Sequence, residues 1–141
     1  MGLRVMSIES RLNIITLLTM RVVFWRANRI KETKALMKGW NRKIQFDIDR
    51  MNPFYVAIQE GRASLIKGRY EKPDLIIKAS AGNFRKVLRG EVKFEEAFLL
   101  KRFEATGSIR DASMFNRMVG VVLESHKRSI STLRWFVGKL I

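Results

Sequence analysis

The stretch FEEAFLLKRFEATGSIRD, residues 94–111, decides how this chain folds. It begins with an apolar cluster that ends at Leu100 and predicts a short helix from about Glu95. After Lys101 and Arg102, apolar and polar residues alternate from Phe103 to Thr106. A period of two is typical of a strand with one buried face. We therefore predict a short helix, a strand and then a turn at Gly107.

The segment after this turn has a helical period. Its apolar residues recur at i, i+1, i+4, i+5, i+8 and i+9, which predicts a helix with a wide apolar face: Met114, Phe115, Met118, Val119, Val122 and Leu123. A further amphipathic segment, Ile130–Ile141, ends the chain. We expect the preceding helix to end near His126.

Alternating apolar and polar residues predict two strands, Ile44–Ile48 and Phe54–Ile58. The turn residues Glu60-Gly61 and Lys72-Pro73-Asp74 predict that two more strands follow, Arg62–Lys67 and Leu75–Ala79. Their connections are short, so we predict an antiparallel meander. A short helix follows, with Phe84, Val87 and Leu88 on one face and Gly90 at its end.

The first 39 residues predict a helical extension. Ser7 is a suitable N-cap for a broadly apolar helix with a break near Asn28 and an end at Met37, before Gly39. A helix so apolar must be covered by protein, by a partner or by lipid. Its uncharged run, residues 12–20, is far shorter than the roughly 20 residues that cross a bilayer.

The composition describes a strongly basic domain without cysteine. Lys and Arg number 28 against 13 Asp and Glu, a formal charge of +15, and +8 of this lies in residues 1–43. Disulfides and zinc-thiolate sites are excluded. The charge attracts nucleic acid, anionic headgroups or phosphorylated small molecules without choosing among them. We predict one domain, 1–141, and a cytoplasmic location, peripheral at a membrane.

Three phrases resemble the sterol carrier protein type 2 family: PDLIIKAS at residues 73–80, FRKVLRGEV at 84–92 and EEAFLLKRFEATG at 95–107. The resemblance covers residues 40–125, which leaves 1–39 as an N-terminal helical extension and 126–141 as a C-terminal segment. Members often place a glycine just before the fifth strand. Lys101 stands there in this chain, so we expect the local turn to differ.

The resemblance implies an α+β fold in which helices cover one face of a five-stranded, mostly antiparallel sheet. An apolar tunnel between the layers would hold a fatty acyl, isoprenoid or sterol-like lipid without any cofactor or metal. Leu100 would stand at the tunnel wall and Ala105 in its floor. The candidate lipid contacts are Phe84, Val87, Leu88, Phe98, Leu99, Phe103, Met114, Phe115, Met118, Val119 and Val122. The alternative for each is ordinary core packing.

The implied function is non-enzymatic binding or transfer of a lipid, as an accessory to a membrane-linked lipid or quinone pathway. The basic first helix would dock on an anionic membrane; its alternatives are a solvated face and a homo-oligomer contact. His126, the only histidine, lacks the neighbours of a catalytic base.

A basic nucleic-acid-binding protein is the alternative function. Lys and Arg occur along the whole chain, which favours phosphate binding at low salt. No sequence motif of a specific nucleic-acid-binding module is present, and Phe46 and Phe54 are expected on the core face of their strands.

Overall fold

Five helices and five strands make up the part of the chain that the structure describes. This computed structural model describes the backbone of residues 7–140 and the side chains of residues 7–125. The elements are α1 (Ile8–Ala27), α2 (Lys31–Met37), β1 (Arg42–Ile48), β2 (Phe54–Gln59), β3 (Arg62–Lys67), β4 (Leu75–Ala79), α3 (Ala81–Leu88), α4 (Phe94–Leu99), β5 (Phe103–Gly107) and α5 (Ile109–Leu140). The predicted α+β fold and the predicted order of elements are confirmed.

The N-terminal helix has the predicted cap and break. The Ser7 side-chain oxygen accepts a hydrogen bond from the Ser10 amide at 3.1 Å. At the break, the side chain of Asn28 donates to the Ala63 carbonyl at 2.8 Å and accepts from the Ala63 amide at 2.7 Å. These two bonds fasten the turn between α1 and α2 to strand β3. Gly39, with φ of 73°, follows α2 in the left-handed conformation that glycine favours.

The sheet has the order β3-β2-β1-β4-β5, and three of its four strand pairs are antiparallel. The predicted meander is wrong for the fourth strand. Strand β4 lies beside β1 and runs parallel to it, with Leu75 opposite Ile44. Residues 68–74 therefore cross from β3 to the other side of β1, although a connection this short is more usual in a hairpin.

The crossing segment, residues 68–74, is fastened to the sheet face away from the helices. The buried Gln45 amide donates to the carbonyls of Phe54 and Gly68, at 3.0 and 3.3 Å, and its oxygen accepts from the Tyr70 amide at 2.8 Å. The Asp74 carboxylate accepts from the Lys43 amide at 2.7 Å. These bonds satisfy the polar groups of a connection that would otherwise be costly to bury.

Gly107 allows β5 to lie against β4. Its φ is 138°, and a Cβ atom at this position would stand 2.5 Å from the Asp74 carbonyl oxygen. Any other residue would force the end of β5 away from the start of β4. The glycine that ends the predicted fifth strand is thus required by a close approach of two backbones.

Helix α5 is longer than predicted. The Ser108 hydroxyl oxygen accepts from the Asp111 amide at 3.3 Å before the helix, which continues to Leu140. The expected end near His126 is wrong, because one helix passes through residues 126–129 and includes the C-terminal segment from residue 130 to Leu140. No Gly or Pro interrupts residues 121–137, so nothing in the sequence ends the helix there. The side chains of residues 126–141 lie outside the described residues.

Candidate functional site

The eight phenylalanines whose side chains are described form an unbroken series of ring contacts between helices and sheet. Phe46 and Phe54 stack at 4.9 Å between ring centroids, and Phe94 meets Phe98 and Phe103 edge-on at 5.0 and 5.4 Å. Further contacts, at 5.6 to 6.5 Å, connect these rings to Phe24, Phe84 and Phe115. Helices α3, α4 and α5 are held on the sheet largely by this aromatic layer.

Most of the predicted lipid contacts lie in or beside this layer. The buried ones are Phe84, Val87, Phe103, Phe115, Met118, Val119 and Val122, and the half-buried ones are Leu88, Phe98 and Met114. Leu99 does not join them, since its side chain is 77% exposed on the outer side of α4. Leu100 and Ala105 are also exposed, so neither lines the interior. Whether any of these residues contacts lipid stays a prediction.

The space between the layers is almost filled in this structure. An apolar void between the described residues of the two layers measures about 10 Å³. It is lined by Met20, Val23, Phe46, Phe84, Val87, Leu88, Phe94, Phe115 and Val119. A void of this size is at the lower limit for one water molecule. Among the described residues, aromatic rings fill the space around this void, and the tunnel expected from the resemblance stays a prediction.

An apolar groove of about 260 Å³ lies directly outside this void, between α3, α4 and α5. Val87 and Phe94 line both spaces, so these two side chains separate the groove from the interior. The rest of the groove consists of Gly90, Val92, Lys93, Glu95, Asn116, Arg117, Gly120, Leu123 and Glu124. Apolar side chains thus form much of its floor, and charged ones stand at its rim.

Val87 is predicted as a site residue from the sequence, whereas Phe94 and Gly120 are not. Phe94 begins the apolar cluster at residues 94–100, but the spacing of apolar residues in this cluster does not show that the Phe94 ring turns inward. In the structure the ring lies 5.8 Å from the Phe115 ring, between centroids. Gly120 interrupts the apolar face of α5, and a Cβ atom there would meet nothing within 4 Å. A single glycine inside a predicted helix is the sequence feature that could have indicated Gly120 as a site residue.

Comparison with known proteins identifies the family. A sequence model of the SCP-2 sterol transfer family matches residues 25–120, well over half of the chain. The chain belongs to this family. The match begins at residue 25, inside α1, whereas the resemblance described above begins at residue 40.

Solved structures of SCP-2 proteins share the fold of this family member. The sterol carrier protein domain 2 of Helicoverpa armigera is 14% identical, with a TM-score of 0.63 over 74% of this chain and 85% of that one. Palmitated SCP2L2 from Aedes aegypti is 13% identical, with a TM-score of 0.58 over 81% and 95%. A protein described as UbiJ-SCP2 ubiquinone synthesis protein is 13% identical, with a TM-score of 0.55 over 83% and 95%. No curated protein matches the chain.

Helix α1 gives this SCP-2 family member a second apolar surface. Five side chains, each more than half exposed, form one stripe that we call the α1 outer face: Ile8, Ile15, Leu18, Val22 and Trp25. Arg11, Arg21 and Arg29 are exposed beside it, and the Arg29 guanidinium lies 3.8 Å from the Trp25 ring centroid. No described helix is long and apolar enough to span a bilayer.

The polar residues of the described part do not form a metal site. No group of three His, Asp or Glu side chains within it is placed to hold an ion. The strand aromatics Phe46 and Phe54 are buried in the core and are therefore unavailable for stacking on bases.

Proposed function

We propose that this SCP-2 family member binds a lipid without catalysing a reaction, and that the apolar tail enters the interior through the groove between α3, α4 and α5. The observation that carries this proposal is the shared wall of Val87 and Phe94 between the groove and the interior void. Displacing two apolar side chains would join the two spaces. The candidate cargo is a fatty acyl, isoprenoid or sterol-like chain, in keeping with a family of sterol transfer proteins and a palmitated structural neighbour.

The filled interior agrees with the energetics of an empty cavity. An apolar void costs about 24 cal/mol per Å³, so an open tunnel of roughly 300 Å³ would cost on the order of 7 kcal/mol. That is comparable to the whole net stability of a domain, about 5–15 kcal/mol. A chain without cargo is therefore stabilised by closing its rings over the space. Cargo would take the place of those ring contacts.

Helix α4 is the element best suited to open. It has six residues and no side-chain cap at its N-terminus, and its packed face depends mainly on Phe94 and Ala97. The opposite side of the helix is exposed at Leu99. An element with few buried contacts opens at low free energy. An outward movement of α4 would carry Phe94 out of the aromatic layer.

Blocking the groove should prevent lipid uptake. In Gly120→Phe, the new ring has free space at its Cβ position and would fill the groove, so we expect at least a tenfold weaker affinity for palmitate, about 1.4 kcal/mol. Palmitate binding is measured by calorimetry on delipidated protein. Gly82→Phe is the matched control, because Gly82 is also helical and unobstructed but lies outside the groove. Equal affinities in the two variants would contradict the entry route.

Identification of the natural cargo tests the proposal most directly. Organic extraction of the purified protein, followed by mass spectrometry, should yield a lipid in stoichiometric amount. An isoprenoid quinone precursor would favour a place beside a quinone pathway, as the likeness to a ubiquinone synthesis protein suggests. A fatty acid or sterol would favour general lipid carriage. Protein that yields no lipid and binds neither palmitate nor an isoprenoid alcohol would refute lipid binding.

We also propose that the α1 outer face docks on an anionic membrane, at its cytoplasmic surface. Its exposed apolar stripe and flanking arginines are the features of a helix that lies in the plane of an interface. Each Lys or Arg near an anionic surface contributes about 1 kcal/mol. Only Glu9 adds an acidic group to α1.

Disrupting the stripe should release the protein from vesicles. Leu18→Glu removes an apolar contact and adds a negative charge that the anionic surface repels. Loss of the buried leucine side chain alone costs about 1.5–3 kcal/mol. We therefore expect the partition coefficient on vesicles with 30–40% anionic lipid to fall at least tenfold. The measurement is co-sedimentation at rising salt. Ile66→Glu is the control, because Ile66 is an exposed apolar residue on β3. Absence of vesicle binding, together with a dimer that Leu18→Glu dissociates, would show that a second copy covers the stripe.

A further inference from the structure

A polar cleft of about 510 Å³ lies at the end of the sheet where β1 and β4 end and β5 begins. It is separate from the apolar groove and shares no lining residue with it. Five cationic side chains line the cleft: Arg50, Arg69, Lys78, Lys101 and Arg102. Three carboxylates, those of Asp47, Asp49 and Glu104, also line it, so the cleft has an excess of two positive charges.

Three of these cations are free to meet an anion. The Arg69 guanidinium is engaged with the Asp47 carboxylate at 2.7 Å, and the Arg50 guanidinium lies 3.7 Å from the Glu9 carboxylate. Among the residues that the structure describes, Lys78, Lys101 and Arg102 make neither an ion pair nor a side-chain hydrogen bond. Among the described residues, the three carboxylates form no metal site. Glu104 stands opposite Lys78 in the pairing of β4 with β5, but within the described part of the chain neither ammonium group nor the Arg102 guanidinium is engaged in an ion pair.

Two of the cations occupy backbone positions that favour glycine. Arg50 has φ of 64° and Lys101 has φ of 57°. A side chain in this left-handed region costs conformational free energy that glycine avoids. The only other described residue of this kind is Glu60, which stands in the tight turn between β2 and β3. Two of the three strained side chains thus line one cleft.

The geometry at Lys101 is that of a helix C-terminus with its usual glycine replaced. The Lys101 amide donates to the Phe98 carbonyl at 3.1 Å, and the Arg102 amide donates to the Ala97 carbonyl at 2.8 Å. This pair of bonds is the Schellman motif, in which residue 101 takes the position that glycine usually fills. At this turn a lysine therefore adopts the left-handed backbone that glycine favours. Arg50 lies in a different kind of turn, where the Met51 amide donates to the Ile48 carbonyl at 3.1 Å and the Asn13 side-chain amide donates to the Arg50 carbonyl at 2.7 Å.

We propose that this cleft is a binding site for a phosphate-bearing anion. Guanidinium groups offer paired donors that match phosphate oxygens, and ammonium groups add point charge. Binding of a ligand by the Arg50 and Lys101 side chains would explain why two cationic residues, on two different connections, occupy strained backbone positions. The phosphate could belong to a soluble phosphate ester or to a lipid headgroup. The site does not depend on lipid binding in the groove, so either proposal can fail without the other.

A pair of glycine substitutions tests this site. Lys101→Gly removes the strain of a left-handed backbone, so we expect a melting temperature about 3 °C higher. It also removes a cation from the cleft, so we expect at least fivefold weaker binding of glycerol phosphate. Glu60→Gly relieves the same strain outside the cleft, so its melting temperature should also rise while its affinity stays unchanged. Binding is measured by calorimetry at about 0.15 M salt, where attraction by distant charges is largely screened.

A second variant tests whether the loss of binding comes only from the changed backbone at residue 101. A competition experiment with vesicles then identifies the source of the phosphate. Arg102→Gln, which leaves the backbone unstrained, should also weaken glycerol phosphate binding at least fivefold. Displacement of the wild-type protein from phosphatidic acid vesicles by glycerol phosphate would assign the cleft to a headgroup, and binding of glycerol phosphate without such displacement would assign it to a soluble ester. No binding of glycerol phosphate at this salt, or unchanged affinity in both Lys101→Gly and Arg102→Gln, would overturn the proposal.

Discussion

Asp111→Ala is expected to lower the free energy of unfolding by about 3 kcal/mol, although Asp111 belongs to no binding surface. Its carboxylate is buried and accepts two hydrogen bonds, from the Trp40 indole at 2.8 Å and from the Arg42 guanidinium at 2.9 Å. The substitution leaves the buried indole N–H without an acceptor, which is the larger loss. The Arg42 side chain is 39% exposed, so solvent screens its part of the interaction.

The contact matters for function because it sets the position of α5. Asp111 stands in the first turn of that helix, while Arg42 is the first residue of β1 and Trp40 lies just before this strand. The three side chains fix the N-terminus of α5 over the sheet, and the helix then places Phe115 in the aromatic layer and Gly120 in the groove. A carboxylate in the first turn also interacts favourably with the helix dipole.

Urea denaturation measures this loss, and two further variants identify its origin. Asp111→Asn keeps an acceptor for the indole and should restore roughly half of the lost stability. In a Trp40→Phe background, which has no indole donor, Asp111→Ala should cost clearly less, as a double-mutant cycle would show. A loss below about 0.5 kcal/mol in the wild-type background would indicate that Asp111 behaves as a surface residue.

Periodicity predicted strand β1 well because one face of this strand is buried in the core. Ile44, Phe46 and Ile48 alternate with polar residues and are all buried, as a period of two requires. The pairing of strands depends on other interactions. Gln45 stands at a polar position of that pattern, yet it is buried and fastens the crossing segment that places β4 beside β1. The sequence does not show that a polar residue on the outer face of a strand, such as Gln45, will bind the crossing segment.

The candidate site was predictable in composition but not in shape. The apolar residues of α3, β5 and α5 were identified, and most of them do lie in the interior. Leu99 and Phe98 are adjacent and both apolar, and only the helical rotation of α4 turns the first outward and the second inward. The separation of groove from void by Val87 and Phe94 depends on ring orientations that no sequence period contains.

The polar cleft illustrates a different limit. Lys101 stands where the resemblance predicts a glycine, and the sequence does not show which backbone conformation the lysine adopts. In the structure Lys101 has the left-handed conformation that glycine favours, with φ of 57°. Its neighbours in the cleft, Arg50 and Lys78, are distant in sequence and are brought together only by the parallel pairing of β1 with β4.

Phe84→Ala is expected to cost about 3–5 kcal/mol of unfolding free energy, and a fatty acid is expected to restore part of it. Phe84 is buried, contacts the rings of Phe46 and Phe103 at 5.9 and 6.0 Å, and lines the interior void. Removing its ring enlarges that void into an apolar cavity. A dry cavity of this kind is able to bind an apolar guest.

Thermal unfolding with and without palmitate distinguishes cavity filling from general stabilisation. A ligand at a hundred times its dissociation constant stabilises the native state by about 2.7 kcal/mol, so the melting temperature of Phe84→Ala should rise by several degrees, and by more than that of the wild type. Ile58→Ala is the matched control, because Ile58 is fully buried on β2 but does not line the void. If palmitate binds at the void, it should stabilise Ile58→Ala no more than the wild type. An equal rise in both variants, or no rise in Phe84→Ala, would show that the lipid does not occupy the space beneath Phe84.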